Sequence, residues 1–111
     1  MAGTIEIQRD VRWSAASWLF DWVVQRLAGV LPGGDTVAQL NEIVTEHLGW
    51  LALDDLPVAD REVLRNSLCR DLLAQAEREL PADLAGRERV LERLRELAQQ
   101  SCHSQNATGR E

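Results

Sequence analysis

The stretch "SWLFDWVVQR", residues 17–26, is apolar on nearly every side of the helix it would form. With residues set about 100° apart around the axis, Trp13, Ala16, Ser17, Phe20, Val24, Leu27 and Leu31 make one apolar stripe, the expected core face. Trp18 and Trp22 stack at i and i+4 on the opposite side, and Leu19, Val23 and Val30 fill the arc between. Only Ser14, Asp21 and Gln25 form a polar strip, so Asp21 marks where this helix reaches water. A helix apolar all round is usually a buried one. The expectation is therefore a central helix wrapped by the rest of the chain, with an interface through Trp18 and Trp22 as the alternative.

The wrapping elements follow from periodicity and breakers. Residues 4–13, "TIEIQRDVRW", alternate, with Ile5, Ile7, Val11 and Trp13 on one side and Arg9 the exception, as in a short strand or an extended arm. A strand here needs a partner, from this chain or from a second copy. The first helix spans about Ser14–Leu31 and ends at Pro32-Gly33-Gly34. Thr36 with Gln39 makes a capping box that opens a second helix to about Leu51, whose core face is Val37, Leu40, Ile43, Val44, Leu48 and Leu51. A third helix runs from Pro57 to about Leu80, carrying Leu64, Leu68, Cys69, Leu72, Leu73 and Ala76. A fourth spans about Arg87–Ser101, with Val90, Leu91, Leu94, Leu97 and Ala98 inward. The fold class expected is mainly α, a compact antiparallel bundle of about four helices with a short extended or β segment at the amino end. Residues 1–102 form a single helical domain on this reading, with 1–13 the arm or strand, and 103–111 a polar flexible tail.

Charge is unevenly spread. Acids and arginines balance at three each over residues 1–30 and at eight each over 63–111, whereas 31–62 hold Asp35, Glu42, Glu46, Asp54, Asp55, Asp60 and Glu62 against Arg61 alone. That field disfavours nucleic acid and anionic membrane there and favours a basic partner. The 12 basic residues are all Arg, as a GC-rich bacterial genome would encode. "MAGTIEIQRD" lacks the basic region and unbroken apolar run of a signal peptide, and two cysteines suggest reduced thiols, so a cytoplasmic location is expected.

Catalytic and metal patterns are weak. His47 lies at the edge of the second helix's apolar face, and no nucleophile or oriented acid accompanies it in sequence. Cys102-His103 supplies two ligand types and lacks two more at metal-binding spacing. Gly33-Gly34 lacks the spacing and lysine of a phosphate loop. No enzyme, cofactor or metal is expected. Along the second helix, Glu42, Glu46 and Trp50 would share one i, i+4, i+8 row with Asp54 and Asp55 just beyond. An aromatic anchor among carboxylates suits a basic, partly apolar protein. The expected function is a non-enzymatic acidic protein that binds and neutralises such a partner, by architectural analogy with bacterial immunity proteins. Two alternatives are a dimeric ribbon-helix-helix-like regulator pairing through residues 4–8 and a structural homo-oligomer held by Trp18 and Trp22. The regulator has no basic stripe for phosphate contacts.

Overall fold

Alternation in the first residues produces a sheet. In a computed structural model of the protein, which describes residues 2–8 and 11–109, with side chains described only as far as Cys102, Ile5 and Ile7 are fully buried and Trp13 nearly so. Arg9, residues 110–111 and the His103 side chain lie outside that description. The extended segment is two strands, β1 (Ala2–Gln8) and β2 (Val11–Ala16), paired antiparallel with Ile5 opposite Trp13 and Glu6 opposite Arg12. A third strand, β3 (Trp50–Ala52), runs parallel to β1 with Leu51 beside Ile5. The order is β2-β1-β3, so both neighbours of β1 come from this chain.

The chain divides into two units, Met1–Leu64 and Arg65–Glu111. In the first unit, α1 (Ser17–Val30) begins later than periodicity suggests, because Ser14–Ala16 are taken up in β2. It buries Leu19, Phe20, Val23, Val24 and Leu27. This face keeps Phe20, Val24 and Leu27 of the expected stripe but is turned toward Leu19 and Val23; Ala16 is exposed. Trp18 is 49% exposed, so α1 is not wrapped on all sides. Gly3 of β1 lies against Phe20, close enough that a Cβ on Gly3 would overlap the ring.

The second helix, α2 (Asp35–Thr45), buries Thr36, Leu40 and Ile43. The expected capping box is not formed: Gly34 is the N-cap, no side chain caps the helix, and the Thr36 hydroxyl donates to Asp60 Oδ2 at 2.6 Å. The helix also stops well short of Leu51. His47 N–H bonds to Val44 O at 3.2 Å and Leu48 N–H to Ile43 O at 3.0 Å, the paired bonds of a Schellman end, with His47 left-handed at φ 52°. Gly49, at φ 67°, completes the reversal into β3. A short 3₁₀ turn, Leu53–Asp55, leads to α3 (Val58–Arg70).

The second unit holds the end of α3 together with α4 (Leu72–Glu79) and α5 (Arg87–Gly109). What reads as one helix from 57 to 80 is two, interrupted at Asp71, where φ is −104°; Asp is a weak helix former in an interior because its side chain competes for backbone groups. Leu72, Ala76, Leu94 and Leu97 are buried, and α4 packs on α5. The bounds of α5 take in residues 103–109, assigned by composition to a polar tail. Cys69 of α3 and Cys102 of α5 form a disulfide with Cα atoms 4.8 Å apart. The expectation of reduced thiols is overturned, and with it one of the two grounds for expecting a cytoplasmic location. Among the described residues no helix is long and apolar enough to cross a membrane. The molecule is mainly helical, with five α-helices and a three-stranded sheet among the described residues.

Candidate functional site

The early end of α2 rearranges the expected binding row. Glu42 remains on α2, Glu46 becomes its C-cap, and Trp50 moves onto β3, so the three do not share a helical face. What replaces the row is a groove of about 310 Å³, lined by Gln39, Glu42 and Ile43 of α2, by Leu48, by all three residues of β3 and by Asp55. Leu48 is 56% and Trp50 44% exposed, and they share the groove with exposed Glu42 and Asp55.

Trp50 is held from the sheet side. Pairing of Thr4 with Ser14 and Trp50, and of Glu6 with Arg12 and Ala52, places these residues on the sheet face opposite buried Ile5 and Leu51. Arg12 Nε bonds Glu6 Oε2 at 3.1 Å, and its guanidinium carbon lies 5.8 Å from the centre of the Trp50 ring. Such a cation over an aromatic face contributes about 0.5–1 kcal/mol at an exposed site. It restrains the ring without covering it.

Asp54 is not in the groove lining. Its carbonyl accepts from Arg61 Nη2 at 3.3 Å, as does that of Leu56 at 3.1 Å, and its carboxylate lies 3.9 Å from Arg61 Nη1. The one basic residue of segment 31–62 is thus folded onto the turn before α3. Asp55, its neighbour, lines the groove. Trp22 and Trp18 stand on α1, outside the groove lining; Trp22 is half-buried under Arg26, 5.5 Å from its ring centre.

A second cleft, of about 360 Å³, is lined by Ala2, Ser17, Phe20, Asp21, His47 and Gly49. Asp21 Oδ2 and His47 Nδ1 are 3.8 Å apart, with 22% and 78% of the side chains exposed. Asp21 is therefore largely covered, contrary to its expected role as the solvated strip of α1. The pair is missed by sequence reasoning because its members are far apart in the chain and His47 faces Asp21 only through its left-handed backbone. At this separation it is an electrostatic contact beyond hydrogen-bond distance, so it does not fix the imidazole as a general base requires. Among the described residues no group of three or more His, Cys, Asp or Glu is placed to hold a metal ion.

No protein-family model, no curated protein and no solved structure matches the chain.

Proposed function

We propose that this is a non-enzymatic protein-binding module whose groove between α2 and β3 takes a basic, partly apolar surface of another protein. The observation that carries this is that exposed Leu48 and Trp50 line one groove together with the acidic residues Glu42 and Asp55. Trp is enriched where binding energy concentrates, because it buries a large area at little cost in side-chain freedom. The carboxylates supply attraction and orientation at the rim. Glu46 and Asp54, outside the lining, act through the field alone. Neutralising the basic cleft of a nuclease, as bacterial immunity proteins do, is the specific form this reading favours.

The test is affinity capture from source cells followed by direct binding of the recovered protein to purified variants that keep the wild-type circular dichroism spectrum. Glu42→Arg, Asp55→Arg and Trp50→Ala should each weaken a basic partner strongly, and Glu46→Arg only slightly. Equal retention by all four variants would turn attention to Trp18 and to self-association. The ribbon-like dimer through residues 4–8 is disfavoured by the central position of β1, which has β2 on one edge and β3 on the other.

A further inference from the structure

Resting on that reading of the groove, we infer that its occupant is an extended basic segment that adds to the sheet as a fourth strand along β3. β3 is an outer strand, with β1 on one side only. The phase of its hydrogen bonds is set by Thr4 N–H, which donates to Gly49 O at 2.9 Å. In a parallel ladder, alternate residues turn both backbone groups to the same side. Gly49 and Leu51 therefore face β1, and the N–H and C=O of Trp50 and Ala52 face the outer edge. The Ala52 C=O closes the 3₁₀ turn that Ala52 caps; among the described residues no turn or loop bond takes up the Trp50 groups or the Ala52 N–H.

The edge and the groove coincide, since all three β3 residues line it opposite Glu42 and Ile43 of α2. A strand laid there gains main-chain bonds from the N–H and C=O of Trp50 and from the N–H of Ala52, and its side chains alternate. Charge selects the sequence: Glu42 and Asp55 at the rim, within a segment of seven acids and one arginine, favour Lys or Arg, while Leu48 and Trp50 favour apolar residues between them. The occupant is an extended segment of alternating basic and apolar residues. A basic helix laid in the same groove would use the charge and leave the strand edge unused.

The test uses the full chain and a peptide of about six residues alternating Arg and Val, with blocked ends, beside two isomers, one N-methylated at every Arg and the other at every Val. Because an added strand turns only one edge to β3, one isomer should bind like the parent and the other should lose about tenfold or more in affinity. The amide shifts that move should centre on Trp50 and Ala52. Equal binding by both isomers, or equal loss by both, overturns strand addition. If that equal binding is still abolished by Glu42→Arg, the acidic groove stands as a binding surface and only the mode fails. No binding of the parent peptide at millimolar concentration also overturns strand addition, and partner capture then judges the groove by itself.

Discussion

Two residues carry the closest constraints in the first unit. Gly3 sits where α1 crosses β1, and a Cβ there would overlap Phe20, itself fully buried. Neither side can give way easily, since one is a paired strand and the other a packed ring. Gly3→Ala should destabilise the protein by about 1–3 kcal/mol, the usual cost of overpacking, seen as a lower urea midpoint with unchanged slope. Adding Phe20→Leu to that variant should recover part of the loss; an unshifted midpoint for Gly3→Ala alone would mean that the strand and helix separate freely. His47 is the opposite case. It holds a left-handed conformation that favours glycine, at φ 52°. His47→Gly relieves that strain but raises the entropy of the unfolded chain, leaving a net gain of about 0.5–1 kcal/mol. A loss of stability instead would mean that the contact with Asp21 outweighs the backbone strain.

Among the elements, legibility follows the length of the pattern. The extended character of residues 4–13 is readable because its alternation is long enough to have a phase, and Ile5, Ile7 and Trp13 are buried as that phase requires, whereas its division into two strands paired with each other is not. β3 is three residues long and has no period of its own; it exists through pairing with β1. The spacing of Ile43, Val44, Leu48 and Leu51 fits a helix, so α2 reads as continuous. The signal that ends it is Gly49, a poor helix residue followed at once by an aromatic and a leucine. Trp50 is thus legible as an anchor and illegible as a strand residue, and the groove, assembled by that strand, is not visible as a row. The disulfide is likewise beyond sequence reading, since only the fold of the second unit brings Cys69 of α3 to Cys102 of α5 across a separation of 33 residues. Closing a loop of that length removes unfolded-state entropy worth about 3–4 kcal/mol in the chain-entropy model. Reduction, or Cys69→Ser with Cys102→Ser, should therefore speed amide exchange at Leu68, Leu94 and Leu97 by about several hundredfold if those amides exchange through global opening of the unit. Unchanged exchange would show that the α3–α5 contact holds without the bond.

For the whole molecule, the net charge of −6 is produced by residues 31–62, since the flanking segments balance. Arg61, the only base in that segment, is bonded to the carbonyls of Asp54 and Leu56. The field around the groove is therefore built from α2 and the turn that follows β3, and it acts over a range set by salt. Screening lengths are about 30 Å at 0.01 M and about 8 Å at 0.15 M ionic strength, so a basic ligand is steered from afar only in the first condition. Its association rate should fall by about tenfold between the two, and the double variant Glu42→Arg, Asp55→Arg should flatten that dependence. Trp50→Ala removes a desolvated contact that forms after encounter, so it should raise the dissociation rate and leave the salt slope of association unchanged. Stopped-flow binding of the Arg–Val peptide separates these effects. An association rate indifferent to salt would mean that the carboxylates do not guide encounter; a Trp50→Ala effect on association alone would mean that the indole is not an anchor in the bound state.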